Sequence, residues 1–329
     1  MKVKKVTFIE AITEALAEEM ERDERVFLMG EDIGLYGGVF KATKGLQEKF
    51  GPMRVIDTPI SEAFIAGGAV GAALMGMRAV PEIQFADFIT PAMDQIIQQA
   101  AKLRYRSGGS YKVPVVFRVC CGGGIGGGLY HSQSNEAWFV DQPGLKVVFP
   151  STPYDAKGLL KASIRDGNPV IYFEHKKLYR SIKQDIPEED YIVPIGKAQV
   201  RTKGDKVSII TYGLMVHYSL EAAAKLSKEG ISAEVIDLRT LLPIDKETIL
   251  ESVKKTGKAV IVHEANKTGG VGGEIAAIIA EEAFEYLDAP VTRVAGPDIP
   301  TMPFAPPMED FFMVNPKKII NAVRKVAAY

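Results

Sequence analysis

The chain has 329 residues, of which 47% are hydrophobic, so it is long enough to bury a large core, and its length predicts two domains. Forty basic and 41 acidic residues give a formal net charge of -1 at pH 7, which argues against a basic nucleic-acid-binding stripe or a membrane-surface helix. No apolar run approaches the ~20 residues of a membrane span. Cys120 and Cys121 are adjacent, which disfavours a mutual disulfide and fits a reducing compartment, so we expect a cytoplasmic protein.

Strands and helices alternate along the chain, a pattern that predicts a parallel α/β sheet. The first half predicts helices over 8–22, 62–77, 93–106 and 152–164, and strands over 26–30, 55–56, 80–85, 113–120, 145–150 and 169–175. Residues 176–205 are polar and poorly periodic, and the alternation then restarts with strands over 207–213, 232–239 and 259–265 and helices over 214–228 and 245–254. We therefore predict a domain over 1–185, a linker over 186–204 and a second domain over 205–329.

Glu62 stands where a strand gives way to a helix of small residues. Pro59 forces a turn after the strand at 55–56, and Ser61 is a helix N-cap that places Glu62 in the first turn. The helix contains four glycines, which are poor helix formers and therefore indicate close approach of another backbone: Gly67, Gly68, Gly71 and Gly76. A carboxylate at the mouth of such an apolar interface is a candidate for proton transfer. The alternative is a glutamate that only complements the helix dipole.

Six glycines fall within residues 122–128, directly after a predicted strand. They satisfy GxGxxG only loosely, and no Lys-Ser or Lys-Thr follows to complete a phosphate-binding loop. We interpret the run as a flexible loop that delivers Leu129, Tyr130, His131 and Ser132 to a site. His131 is a histidine, the residue type best suited to proton transfer near neutral pH, and polar residues follow it, although a structural histidine is the alternative.

Several uncommon short sequence motifs follow one another along the chain: TPISE, EIQFADF, KLRYRSGG, LYHSQS and PSTPYDAKGLL. Together they resemble the β chain of the two-chain, thiamine diphosphate-dependent 2-oxo acid dehydrogenases, the E1 components of the pyruvate and branched-chain complexes. The resemblance runs from about residue 5 to the C-terminus, and HSQSNEAWF and AGPDIPTMPFAPPMEDFFMVNPKK are most similar to the bacterial branched-chain type. It implies a pyrimidine-binding thiamine-enzyme domain followed by a transketolase-type C-terminal α/β domain.

The resemblance also implies roles for individual residues. Glu62 would hydrogen-bond a ring nitrogen of the cofactor's aminopyrimidine, with Ile60, Gln84 and Phe88 around the ring. His131 would help the acyl group, formed by decarboxylation of a branched-chain 2-oxo acid, to reach the lipoyl arm of the E2 acyltransferase. An aromatic face such as that of Phe88 packs well on a heteroaromatic ring, although plain core packing is the alternative.

One motif of such enzymes is missing, because GDG occurs nowhere in this sequence. In the resembling family, GDG and a downstream Asn hold the divalent metal of the diphosphate half of the site. The resemblance therefore implies that an E1 α subunit supplies Mg²⁺ and diphosphate binding in an α2β2 assembly. We expect the glycine-containing helix at 62–77 to contribute to that contact.

A second metal site is implied at the turn SIRDGNP, residues 163–169. An Asx turn is the ordinary explanation of such a sequence. The resemblance implies a structural K⁺ held largely by backbone carbonyls. Its candidate ligands are Val115, Ser163, Ile164, Asp166 and Asn168.

The partner E2 would dock on the C-terminal domain through a basic binding domain, which requires acidic groups on this chain. The candidates are Glu281, Glu282, Glu285, Asp288 and the terminal carboxylate of Tyr329. A merely solvated helix face is the alternative.

Three alternatives remain open at this point. A pyruvate or acetoin E1 β subunit shares nearly all these motifs. A non-catalytic α/β binding subunit would keep the fold but need neither Glu62 nor His131. An NAD-linked Rossmann oxidoreductase would need a clean glycine fingerprint and an acidic residue at the end of the second strand.

Overall fold

The computed structural model describes residues 2–329 and divides them into two compact units. One unit comprises the chain up to Cys121 together with Trp138–Ile195, and the other comprises Gly122–Ala137 together with Gly196–Tyr329. The glycine loop and His131 therefore pack with the later part of the chain, although they lie far before it in sequence. The predicted domain limits at 185 and 205 stay a prediction, to which this division adds the separate placement of residues 122–137.

The strands of the first unit are β1 (Val3–Thr7), β2 (Val26–Gly30), β3 (Val55–Asp57), β4 (Arg78–Ile83), β5 (Val116–Cys121), β6 (Lys146–Val148), β7 (Val170–His175) and β8 (Lys183–Pro187). Six of them form a parallel sheet in the order β6-β7-β5-β4-β2-β3. β1 and β8 form a separate antiparallel pair. Every residue of β2, β5 and β7 is buried, as expected for parallel strands covered on both faces.

Three helices in the described part of this unit begin within one residue of a predicted start, at Phe8, Glu62 and Pro153, and the others do not. They are α1 (Phe8–Arg22), α2 (Leu46–Phe50), α3 (Glu62–Leu74), α4 (Ala101–Arg106), α5 (Ala137–Val140), α6 (Pro153–Arg165) and α7 (Leu178–Ser181). Helix α3 ends before the predicted residue 77 because Gly76 has φ +94°, a left-handed conformation that terminates helices.

The predicted turn at Pro91 and helix over 93–106 take a different form. Residues Ala86–Ala92, which include Pro91, form a 3₁₀ helix, and Asp94–Ala100 form a π-helix before α4 begins. Both segments pack against α3, and a Cβ atom at Gly67 would lie 3.3 Å from Gln95 Oε1. The close approach inferred from the glycines of α3 is therefore present within this unit at Gly67.

The second unit is a five-stranded sheet in the order β14-β13-β10-β11-β9, with β9 antiparallel and the other pairs parallel. The strands of the second unit are β9 (Gln199–Thr202), β10 (Val207–Thr211), β11 (Ala233–Asp237), β12 (Thr240–Leu242), β13 (Ala259–Asn266) and β14 (Thr292–Gly296). Its helices are α8 (Leu214–Ser227), α9 (Lys246–Thr256), α10 (Val271–Glu282), α11 (Pro306–Phe312) and α12 (Pro316–Ala327), and Phe284–Tyr286 form a 3₁₀ turn. β9 lies within the stretch predicted as a linker, where the sequence shows too little periodicity to reveal an edge strand.

The predicted fold class, α/β with two α/β units, is confirmed. Within residues 2–329, the structure contains no helix of the length and apolar character that a bilayer crossing requires.

Candidate functional site

Three neighbouring strands of the first unit end at one edge of its sheet and place polar residues there. Gly30 at the end of β2 is aligned with Asp57 at the end of β3 and with Glu82 near the end of β4. The residues that follow these strand ends include Glu31, Thr58 and Gln84. In open α/β sheets, ligands bind in the crevice outside the carboxyl ends of the strands, so this edge is the candidate site.

Glu62 enters this site through a fixed turn between β3 and α3. The Ser61 hydroxyl accepts the N–H of Phe64 at 3.4 Å, which confirms the predicted N-cap and puts Glu62, half-buried, in the first helical turn. The Asp57 carboxylate accepts the N–H groups of Gly34 at 2.5 Å and Leu35 at 3.3 Å. These bonds tie the turn to the loop after β2, so the start of α3 is held against the end of β2.

Glu31 is a second carboxyl at this edge, and the sequence reasoning did not single it out. Burial raises the pKa of Glu31, and the negative charges of Asp32 and Glu62 raise this pKa further. The electrostatic effect of Glu62 on Glu31 means that the two carboxyls share one neighbourhood. In the sequence, Glu31 is marked only as an acidic residue that directly follows a buried strand and precedes a glycine-rich loop.

Two buried polar atoms at this edge have no hydrogen-bond partner among residues 2–329: the Thr58 hydroxyl oxygen and the Gln84 side-chain nitrogen. Leaving such a group unsatisfied costs roughly 1–3 kcal/mol, so the site is suited to a ligand that carries hydrogen-bonding atoms. Phe88 lies in the 3₁₀ helix that packs against α3, and its ring is 38% exposed. Ile60, in the turn before α3, is 75% exposed.

These residues fit an aminopyrimidine, a flat heteroaromatic ring with nitrogen donors and acceptors. The unsatisfied amide of Gln84 can donate to a ring or substituent acceptor, and the carboxyl of Glu62 can exchange a proton with a ring nitrogen. The exposed Phe88 ring offers an apolar face for packing.

Glu82, two residues before Gln84, belongs to a buried ionic cluster that links β4, β5 and β7. Arg118 donates to Glu82 at 2.6 Å and to both oxygens of Glu174 at 2.6 and 2.7 Å, and the Tyr179 hydroxyl donates to Glu174 at 2.7 Å. Burial raises the pKa of Glu82, while the two carboxylates hold the pKa of Arg118 well above its usual range. Two carboxylates therefore share one buried guanidinium.

His131 belongs to the second unit, whereas Ile60, Glu62, Gln84 and Phe88 belong to the first. The loop that carries it is closed by a bond of 3.0 Å from the Gly122 N–H to the Gln133 carbonyl. On either side of His131, Thr301 donates to the Leu129 carbonyl at 2.6 Å and accepts the Gln133 side-chain amide at 2.7 Å. The imidazole is thus part-exposed on a loop with fixed ends.

Three backbone amides of the glycine run are already bonded to side-chain carboxylates. The N–H of Gly123 donates to Glu264 at 2.7 Å, and the N–H groups of Gly124 and Gly126 donate to Glu309 at 2.8 and 3.2 Å. The N–H groups of Gly123, Gly124 and Gly126 are therefore not available to bind a phosphate.

Glu136 follows the histidine loop and is fully buried. The Tyr212 hydroxyl donates to its Oε1 at 2.7 Å, and Oε2 has no hydrogen-bond partner in the described part of the chain. Burial raises the pKa of Glu136 to about 7, and the charge of Glu264 acts in the same direction. In the sequence, Glu136 is marked only by its position in the HSQSNEAWF motif.

The structure brings most of the predicted potassium ligands together at the turn after α6. Arg78 donates to the backbone carbonyls of Ile164 at 2.8 Å and Asp166 at 2.9 Å, and the Asp166 carboxylate pairs with Lys146. The side chain of Asn168 donates to Asp166 at 2.8 Å. The Val115 carbonyl accepts the N–H of Val170, and Ser163 donates to Leu159. The potassium site stays a prediction, and the guanidinium already bonded to two of its carbonyls disfavours a second cation there.

The acidic residues predicted to meet E2 are exposed at the end of α10 and in the turn after it. Glu282 pairs with Lys246 at 2.8 Å, and Lys254 lies 5.2 Å from the centre of the Tyr286 ring. The surface thus carries both signs of charge, with Glu281, Glu285 and Asp288 exposed, and Tyr329 is 65% exposed.

Two family models match the chain. "Transketolase, pyrimidine binding domain" matches residues 4–182, and "Transketolase, C-terminal domain" matches residues 196–319. The chain is 58% identical over 324 residues to the 2-oxoisovalerate dehydrogenase subunit beta of Bacillus subtilis (strain 168), covering 98% of this chain and 99% of that protein. It is 50% identical, with the same coverage, to the pyruvate dehydrogenase E1 component subunit beta of the same organism.

A solved structure described as "Split gene transketolase, inactive beta4 tetramer" is similar over 98% of both chains, with a TM-score of 0.78 and 24% identity. At this identity the likeness supports the fold alone.

Proposed function

The chain belongs to the E1 β subunits of 2-oxo acid dehydrogenase complexes, of the branched-chain type, and we propose that it supplies the pyrimidine side of their thiamine diphosphate site. The observation that carries this proposal is the pair of unsatisfied polar atoms, on Thr58 and Gln84, at the sheet edge where the helix that begins with Glu62 starts. The group implied by the family has hydrogen-bonding atoms that match them.

Within this site Glu62 exchanges a proton with a nitrogen of the pyrimidine ring, and Gln84 donates a hydrogen bond that orients the ring. Phe88 and Ile60 cover its apolar faces. Glu31, whose pKa is raised by burial and by the negative charges of Asp32 and Glu62, is a second carboxyl close to Glu62. When bound, thiamine diphosphate supplies the nucleophilic carbon and the electron sink for decarboxylation of a 2-oxo acid.

The diphosphate and its Mg²⁺ are held by the E1 α subunit, since this chain has no GDG motif. Helix α3 offers a surface for that subunit: Ala63, Phe64, Gly71 and Met75 are exposed, and a Cβ atom at Gly71 would meet nothing within 4 Å. Such a smooth face lets another backbone approach closely. The working assembly is then α2β2, with each site completed by both kinds of chain.

His131 assists the passage of the acyl group to the lipoyl group of E2, and the acidic surface around Glu285 and Asp288 contributes to E2 docking. The first role rests on a part-exposed imidazole held on a loop with fixed ends. The second rests on charge complementarity with a basic domain. We place the domains at 1–185 and 205–329 with a linker at 186–204, and we place the protein in the cytoplasm.

The substrate is a branched-chain 2-oxo acid, and pyruvate is the second candidate. Identity to the 2-oxoisovalerate dehydrogenase subunit exceeds identity to the pyruvate dehydrogenase subunit, at 58% against 50% over the same length. Turnover of both acids by the reconstituted enzyme distinguishes the two.

The test of the site is Glu62→Gln in the reconstituted α2β2 enzyme, with Glu48→Gln as the matched control. Glu48 is also a first-turn glutamate, in α2, and it is exposed. We expect Glu62→Gln to fold yet lose most decarboxylation with an artificial electron acceptor, while Glu48→Gln retains activity. Similar activity of the two variants would mean that Glu62 only complements a helix dipole.

A further inference from the structure

The loop that carries His131 is held by two carboxylates from distant parts of the second unit. Glu264, in β13, accepts the N–H of Gly123 at 2.7 Å and the hydroxyl of Ser134 at 3.2 Å. It therefore bonds to the loop both before and after His131. Glu264 is only 5% exposed, so these bonds lie in a water-poor environment where charge-assisted hydrogen bonds are strong.

Glu309, in α11, holds the middle of the same loop. One of its oxygens accepts the N–H of Gly124 at 2.8 Å and that of Gly126 at 3.2 Å. Positive φ values alternate along the loop, at Gly122, Gly124, Gly126 and Gly128, a conformation that turns successive N–H groups toward one anion. In this loop the anion is the protein's own side chain, which is 8% exposed.

The chain between Thr301 and Glu309 adds contacts closer to the histidine. Thr301 donates to the Leu129 carbonyl at 2.6 Å, and a Cβ atom at Gly128 would lie 2.9 Å from the Phe304 ring. The segment before His131 is therefore fixed by hydrogen bonds and by packing from one short stretch of the chain.

We propose that Glu264 and Glu309 are positioning residues for His131, which fix the conformation of the glycine loop and thereby the location of the imidazole. The functional part of this inference rests on the proposed role of His131 in acyl transfer. A glycine-rich loop alone has many accessible conformations, and two buried carboxylates select one of them. The glycines are required because only they allow the loop to present its N–H groups to these acids.

The first test measures amide hydrogen exchange of residues 122–131 in the assembled α2β2 enzyme. Glu309→Ala is expected to increase exchange of the loop amides by about tenfold or more, since two charge-assisted bonds are lost. Glu309→Gln keeps an acceptor oxygen and should lie between Glu309→Ala and the parent. Asp310→Ala is the matched control, because Asp310 is the next residue of the same helix and is exposed. Parent-like exchange in Glu309→Ala and Glu309→Gln would overturn the proposal.

The second test measures transfer to lipoyl-E2 and turnover with an artificial acceptor for the same variants and for His131→Ala. Glu309→Ala and Glu264→Gln should reduce transfer more than acceptor turnover, and Glu309→Ala should cause little further loss when His131 is already alanine. Additive losses in that double variant would overturn the positioning role. If His131→Ala itself lowers both activities equally, the proposed role of His131 fails, while the exchange experiment still decides whether the carboxylates hold the loop. If Glu309→Ala does not fold, Glu309→Gln carries both tests.

Discussion

The Tyr212 hydroxyl donates a hydrogen bond of 2.7 Å to a carboxyl, that of Glu136, which is fully buried and has a pKa of about 7. The protein therefore contains an acid that keeps its proton up to neutral pH. Its neighbour Glu264 carries part of the hydrogen bonding of the histidine loop. Protonation of Glu136 limits the negative charge next to that acid.

Stability should depend on pH through Glu136. In the unfolded chain this carboxyl ionises near 4.5, and in the folded chain at about 7. The stabilisation from burying the neutral acid is therefore full below pH 4.5 and is lost as the pH rises to about 7, a change of about 3 kcal/mol. Glu136→Gln removes this dependence, so its melting temperature should rise relative to that of the parent between pH 5 and 8. A difference that stays constant with pH would contradict the assignment.

A substitution on the exposed face of helix α3 tests the proposed contact with the α subunit. Gly71→Leu adds a large side chain where no atom of this chain lies within 4 Å. The isolated chain should fold with equal or higher stability, because glycine in a helix costs roughly 0.5–1 kcal/mol relative to alanine and leucine is also a good helix former. Assembly with α should be lost, whereas the small control Gly71→Ala should assemble. Size-exclusion chromatography of mixed chains measures this, and normal assembly of Gly71→Leu would place the contact elsewhere.

Docking of E2 should depend on the acidic surface after α10. Charge reversal at Glu285 and Asp288 to lysine should weaken E2 binding and flatten its salt dependence, while artificial-acceptor turnover stays unchanged. The control reverses two exposed acids of the first unit, Glu24 and Glu48. Equal E2 affinity of both double variants at low salt would exclude the α10 surface as the docking site.

The turn after α6 should respond little to potassium. Arg78 already donates to the carbonyls of Ile164 and Asp166, so we expect the same melting temperature in KCl and NaCl of equal concentration. A bound K⁺ stabilises the state that binds it, so a higher melting temperature in KCl alone would establish the potassium site after all.

Local signals predicted the start of α3 well, because Pro59, Ser61 and Glu62 act on their own neighbours in the chain. The assembly of the site was harder to predict, because Glu31, Thr58 and Gln84 come to one edge of the sheet only when β4, β2 and β3 lie side by side. The bond between Glu309 and Gly124 spans 185 positions, and that between Arg78 and Ile164 spans 86. A single sequence does not reveal such long-range hydrogen bonds, because they depend on how whole helices and strands pack together.

We propose that this chain holds only the pyrimidine half of a thiamine diphosphate site. Calorimetric titration of thiamine diphosphate with Mg²⁺, in the isolated chain and in reconstituted α2β2, tests this proposal. We predict tight binding by α2β2 and no tight binding by the isolated chain, which lacks the GDG motif. Micromolar binding by the isolated chain would contradict the half-site account.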